Sequence, residues 1–259
     1  MAKPARASLK GNSQQATAQQ NTQQTATSAV GLQFFAALTD NQKADMVNKA
    51  KTAKAVPGFP DTFYQKFVMA NGLDAKPKLA TDAQMDAMPG RDLYRGVHES
   101  TTDKADAIVL NTLMQDFTHF SDAGGSALGR GIYAMHDLNQ DVRLYGSSGG
   151  VNNIMRFKLD SDAKSIRYSE ANTLYSKELA SGSKLGRALQ GVDRRDAVSI
   201  VAAAKGYSAI LHDNFNHGQE WVSILSRDKV TISMQYHRVT PKDIKKAQSG
   251  VLTWNTMER

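Results

Sequence analysis

Apolar residues in the first third of the chain recur at helical spacing. Leu32, Phe35 and Leu38, then Met46 and Val47, are separated by polar positions, which predicts amphipathic helices. Asp40, just after Thr39, is a candidate cap for the second of them. The run Val56-Pro57-Gly58-Phe59-Pro60 breaks the pattern. Asp61 then precedes Phe63, Phe67 and Val68 on one helical face, and Asn71-Gly72 supplies a stop that tolerates a left-handed backbone. Residues 29–89 therefore predict a small helical subdomain.

Beyond Gly90 the period shortens. Leu93 to Val97, Ile132 to Met135, Ser208 to Leu211, Trp221 to Leu225 and Val230 to Met234 predict strands. Asn153 to Leu159 alternates apolar and polar residues, as a half-buried strand does. Between these lie predicted helices at Thr102 to Phe117, Asn139 to Tyr145, Ala171 to Leu179 and Arg194 to Lys205. Thr102 or Asp103 could cap the first of these. Thr240-Pro241 opens a last helix, with proline at its first position. Short strands mixed with helices, and no regular strand–helix–strand repeat, predict an α+β domain over residues 90–259.

Composition adds a third region. Residues 1–28 carry six glutamines among Ala, Thr, Asn and Ser, no aromatic residue, and only positive charges. Such a tract cannot bury enough apolar surface to offset chain entropy, so it predicts a disordered basic tail. The remainder is ordinary for a globular protein, with 41% hydrophobic and 22% charged residues over the 259-residue chain. The absence of cysteine excludes disulfides, thiolate-bound metals and thiol nucleophiles. No apolar run approaches the roughly 20 residues of a membrane helix. The basic N-terminus has no apolar stretch behind it, unlike a secretory signal. An intracellular, cytoplasmic location without membrane association is expected. The formal charge of +7 suits anionic partners.

One motif misleads. Gly129-Arg130-Gly131-Ile132-Tyr133-Ala134 fits the dinucleotide fingerprint G-x-G-x-x-A. That fingerprint needs a strand before it and a helix after it, and here a polar loop precedes it and a strand follows. No phosphate-binding loop of the G-x-x-x-x-G-K type is present, and the six histidines are too scattered for a zinc signature, so no metal is expected.

Three separated pieces carry more. Leu93-Tyr94-Arg95-Gly96 ends a strand in a guanidinium fork beside backbone with no side chain in the way. Gly124 to Ala134, followed by Tyr145-Gly146, combines glycines that permit close approach with Tyr133 and Tyr145, which could frame a planar ring. Glu220-Trp221-Val222 places a carboxylate at the edge of an apolar strand, where it is costly without a partner or a task. Taken singly, each has an ordinary structural explanation: an edge arginine, core tyrosines beside a loop, a solvated strand start.

In order and context the set resembles the ADP-ribosyltransferase superfamily. Arg95-Gly96 matches the first position, with Arg as in the toxin-like branch. Gly129-x-Gly131-x-Tyr133, Tyr145 and Glu220-Trp221 match the pattern of the poly(ADP-ribose) polymerase-like branch. The likeness spans Leu93 to about Val230, and the Gln-rich head before a helical region is similar to transferase domains of bacteriophage proteins. The resemblance implies a split β-sheet core and NAD as co-substrate. It assigns catalysis to Glu220, Arg95 and Tyr133. NAD binding falls to Arg95, Gly96, Gly129, Gly131, Tyr133 and Tyr145. Glu220 is to stabilise the ribose cation, Gly96 to hold the nicotinamide amide through its backbone, and Arg95 to meet ribose or diphosphate. Because Arg95 replaces the histidine of the polymerases, transfer of a single ADP-ribose is implied rather than polymer growth. Gly218 stands where arginine-modifying members carry Glu or Gln, and no Ser-Thr-Ser strand is present. The expected acceptor is a macromolecule, foremost a protein, with nucleic acid the other candidate. Two other readings remain open: an NAD-consuming RNA 2′-phosphotransferase, and a non-catalytic basic module for nucleic acid or a virion; a phage origin would place the protein in the host cytoplasm or with the virion.

Overall fold

The computed structural model describes residues 31–55, 62–113, 131–146, 150–215 and 219–257. The tail over residues 1–28, the break over residues 56–60 and the glycine-rich stretch 124–130 lie outside the described residues. The chain runs α1 (Leu32–Ala37), α2 (Asp40–Thr52), α3 (Phe63–Ala70), β1 (Lys78–Ala80), α4 (Asp82–Ala87), β2 (Asp92–Glu99), α5 (Thr102–Leu113) and β3 (Ile132–Met135). There follow α6 (Leu138–Gly146), β4 (Val151–Leu159), β5 (Ser165–Arg167), α7 (Tyr168–Ala180), α8 (Lys184–Ala188) and α9 (Arg194–Ala204). The last elements are β6 (Ala209–Phe215), β7 (Gln219–Ile224), β8 (Val230–Arg238) and α10 (Pro241–Gln248). All strands join one mixed eight-stranded sheet in the order β1-β8-β4-β2-β3-β7-β6-β5. The end pairs β1–β8 and β5–β6 are parallel and the inner pairs antiparallel, so the fold is α+β.

Helix ends follow the expected chemistry, with one correction. Thr39, not Asp40, caps α2 through a reciprocal box with Gln42. Asp40 instead accepts the Lys184 and Leu185 amides at 2.8 and 3.4 Å and so caps the start of α8. Gly72, at φ +63°, follows the end of α3, and Thr240 caps α10 ahead of Pro241.

The expected helical subdomain does not stand apart. Leu32, Phe35, Val47 and Phe67 share one core with Leu185, Leu189, Val198, Ile200 and Val201 of α8 and α9. The reason lies in α9: every residue from Asp196 to Ala204 is buried, so this helix needs cover on all sides, and α1, α3 and α7 supply it. β1 adds a strand beside β8, drawing the same segment into the sheet.

The remaining core lies on both faces of the sheet. Val109 of α5 meets Leu93, Val97, Met155 and Phe157 on one face. Leu138 and Val142 of α6 meet Ile154, Ala247 and Trp254 on the other. β4 is central and buried along nearly its whole length, not half-buried as its alternation predicts. Three of its polar residues are inside with partners, while the buried Asn152 side chain has no hydrogen-bond partner among the described residues. Arg156 bonds Asp86 at 2.7 Å and Asp92 at 2.8 Å, Lys158 bonds the Met88 carbonyl at 2.8 Å, and Asn153 bonds Asp106 at 2.9 Å.

Candidate functional site at the β2–β3 opening

β2 pairs with β4 from Asp92 to Glu99, but with β3 at one position only, Tyr94 opposite Met135. In an antiparallel ladder a residue points its N–H and C=O to the same neighbour, and alternate residues share that side. Continued by two residues, the ladder would set Gly96 opposite Tyr133. It does not form. The Tyr133 carbonyl instead accepts from Arg95 Nη1 at 3.1 Å, and Gly96 lies near the Asp141 carboxylate. The two strands part where the next pair belongs, and the Arg95 side chain satisfies the Tyr133 carbonyl.

Asp141 comes to this place because α6 packs on β2, β4 and α10 directly after β3. It is fully enclosed, and burial pushes its carboxyl up to about 7. The nearby Arg95 guanidinium and the Gly96 amide pull the other way, and Asp137 adds to the rise. Its Oδ2 has no hydrogen-bond partner among the described residues.

Glu220 opens β7, the neighbour of β3, and is about one-third exposed, at 35% of its side chain. Tyr133 lies opposite Ser223 and Ala134 opposite Val222, so alternation puts the Glu220 and Arg95 β-carbons on the same face of the sheet. The two are not in contact. Glu220 faces Arg91 at 3.7 Å and His136 Nε2 at 3.9 Å. His136 donates its Nδ1–H to the Asp92 carbonyl at 3.1 Å, which leaves Nε2 with a lone pair toward Glu220 in the neutral ring. Burial lowers the His136 pKa, and Arg91 adds to this against Asp92 and Glu220.

The Tyr133 ring leaves from the opposite face. It stacks on His212 at 6.1 Å and meets Trp221 edge-on at 6.3 Å, while Tyr168 lies 5.1 Å from His212. His212 is buried, both ring nitrogens lack a hydrogen-bond partner among the described residues, and burial lowers its pKa to about 4. The Tyr133 ring is thus part of an aromatic cluster, while its backbone carbonyl belongs to the opening.

Gly131 has a different use from the one expected. At φ +147° a β-carbon there would sit 2.6 Å from the Ile224 carbonyl, so its missing side chain admits the neighbouring strand β7. Gly129 lies outside the described residues, and so does the Tyr145 side chain, although Tyr145 itself falls in the last turn of α6. The structure therefore gathers Arg95, Gly96 and the Tyr133 backbone at one opening, with Glu220 one strand away. Sequence reasoning missed Asp141, His136, Arg91 and His212. Asp141 sits in a short polar helix turn, Asn139-Gln140-Asp141, whose spacing gives no sign that its acid is buried.

Comparison with protein-family models, with curated proteins and with solved structures finds no match to the chain. Among the described residues no group of three or more His, Cys, Asp or Glu is placed to hold a metal ion. No helix among them is long and apolar enough to cross a membrane.

Proposed function

We propose that the protein is a mono-ADP-ribosyltransferase that takes NAD at the β2–β3 opening and passes ADP-ribose to a macromolecular acceptor, foremost a protein. One observation carries the reading: the residues of the three sequence pieces fall on three adjacent strands, Arg95 and Gly96 on β2, Tyr133 on β3 and Glu220 on β7, around a sheet parted between β2 and β3. Such an arrangement is what a split-sheet transferase core requires. The bond between nicotinamide and C1′ of the ribose breaks, nicotinamide leaves as a neutral molecule, and positive charge grows on the sugar. Glu220 stabilises that charge, the acceptor forms the new bond at C1′, and its proton passes to solvent. Arg95 faces the diphosphate or ribose, and Gly96 offers backbone to the nicotinamide amide.

The test is labelled NAD with a cell lysate and with Glu220→Gln. Removal of a placed electrostatic group costs about 10²–10³ in rate. Label on protein that falls by that factor in the variant, with folding and NAD binding kept, is the expected result; a variant that labels as well as the parent would overturn the assignment. Label on RNA would move the acceptor.

One observation favours a second reading, the non-catalytic basic module. The Gly96 backbone, a seat for nicotinamide in the first reading, lies beside the buried Asp141 carboxylate. In that case NAD is not consumed and binding to nucleic acid falls steeply with salt.

A further inference from the structure

His136 and Glu220 face each other beside the β2–β3 opening. His136 follows directly on β3, and continuing the β3–β7 register by one pair sets it opposite Glu220. Both therefore lie on the face of the sheet that carries Arg95. Both side chains reach solvent, His136 at 14% exposure and Glu220 more so. The charged groups facing His136 are Arg91, ahead of β2, and Glu220 on β7. The 3.9 Å between Nε2 and Glu220 Oε1 is too long for a hydrogen bond. With Nδ1–H on the Asp92 carbonyl, the neutral ring turns the Nε2 lone pair toward a carboxylate. Two acceptors that face each other in this way, both open to solvent, are complementary to a group that donates a hydrogen bond. We infer that His136 is the general base of the transfer reaction, and that the acceptor is a hydroxyl whose O–H is seated on His136 Nε2 beside Glu220.

This role rests on the proposed transferase reading and specifies its acceptor. The bond from C1′ of the ribose to the nicotinamide nitrogen breaks, and its electron pair leaves with nicotinamide. The hydroxyl oxygen forms the new bond to C1′, and its proton moves to His136 Nε2. The imidazolium then faces an acceptor at each N–H, the Asp92 carbonyl and the Glu220 carboxylate, before it releases the proton to solvent. Burial, helped by Arg91, holds the ring below the ordinary histidine value against the Asp92 carbonyl and Glu220, so the base is unprotonated at neutral pH. A hydroxyl needs such a base, because it is a weak nucleophile while it keeps its proton. A carboxylate acceptor has no proton to give. A guanidinium or ammonium acceptor would approach against the exposed Arg91, 3.7 Å from Glu220.

The experiment uses the full chain and has a readout apart from activity. In protein with ¹⁵N-labelled histidine, the His136 ring should be the Nδ1–H tautomer at neutral pH. Its midpoint should fall in Glu220→Gln, which removes the carboxylate that favours the imidazolium. An Nε2–H ring, or equal midpoints in the two proteins, overturns the inference. Transfer from labelled NAD to lysate protein is then compared in the parent and in His136→Asn, whose amide can donate to the Asp92 carbonyl but which has no basic nitrogen. Transfer should fall by about 10²–10⁴ with NAD affinity kept. Below its His136 midpoint the parent's rate should drop about tenfold per pH unit, while the variant stays level. The label should resist neutral hydroxylamine, as an O-glycosidic link does; release marks a carboxylate or guanidinium acceptor and overturns the hydroxyl assignment. A variant that labels as fast as the parent at every pH overturns the base role and leaves the transferase reading standing. A parent that neither labels protein nor consumes NAD overturns the transferase reading and the base role together.

Discussion

Two regions of the molecule bury their residues by opposite rules. Around α9, Phe35, Phe67, Val198 and Ile200 fill the interior with apolar side chains, and Phe35 and Phe67 meet edge to face at 4.9 Å. At the β2–β3 opening an enclosed carboxylate lies beside a half-buried guanidinium that bonds a strand carbonyl left unpaired by the parting. The first arrangement gains free energy from removing apolar surface from water. The second keeps a desolvated acid that disfavours its own charged form. The helical layer thus gains from apolar burial, whereas the opening carries the cost of a desolvated acid.

The sharpest way to break this contrast is to empty the helical core. Phe67→Ala removes a side chain with no exposure and should cost about 3–5 kcal/mol. At roughly 2–4 °C per kcal/mol for a domain of this size, melting should fall by about 6–20 °C. In the folded fraction the Gly96 amide resonance should not move. Thermal melting together with one amide spectrum checks both halves, and a shifted Gly96 signal would show the two regions to be coupled.

The opening should respond to pH where the helical core does not. Asp141 binds its proton more tightly folded than unfolded, where an aspartate titrates near 3.9. Between about 4 and 7 the unfolded chain has released that proton and the folded chain has kept it, so stability falls as pH rises through this window and levels above it. Asp141→Asn lacks this loss. Denaturant midpoints should therefore show the variant close to the parent near pH 4 and more stable above pH 7, by on the order of 4 kcal/mol. A difference that stays constant from pH 4 to 8 would mean that Asp141 is not desolvated as its burial indicates.

The same contrast explains what was legible in the sequence. Strands and helices with a clear period, such as Ile132 to Met135 and Arg194 to Ala204, lie where the pattern predicts. So do Arg95, Gly96, Tyr133 and Glu220, on three neighbouring strands. Three kinds of feature were hidden. Very short elements, β1, β5 and α8, have too few residues to express a period. The polar residues of β4 mimic a solvent face because Asp86, Asp92 and Asp106, which neutralise or bond them, come from distant segments. Asp141 reads as a surface helix residue until the fold brings Gly96 to it. A local pattern carries the backbone's period but not the partner of a buried charge.

The smallest effect tests a local reading that the fold revised. Thr39 and Asp40 are adjacent, and either could cap α2 by residue type. Thr39 exchanges bonds with Gln42 in its own helix, at 3.0 Å from the Thr39 amide to Gln42 Oε1, whereas Asp40 reaches the amides of α8. Each substitution by alanine should cost about 1 kcal/mol. The two losses differ in where they act. Thr39→Ala should loosen the first turn of α2, and Asp40→Ala should raise amide exchange at Lys184 and Leu185 while the first turn of α2 stays protected. Because the two residues adjoin and Asp40 starts the turn that Thr39 caps, the double variant should lose less or more than the sum of the two. If Asp40 capped its own helix instead, Thr39→Ala would be nearly silent and the α8 amides would exchange at parental rates in Asp40→Ala.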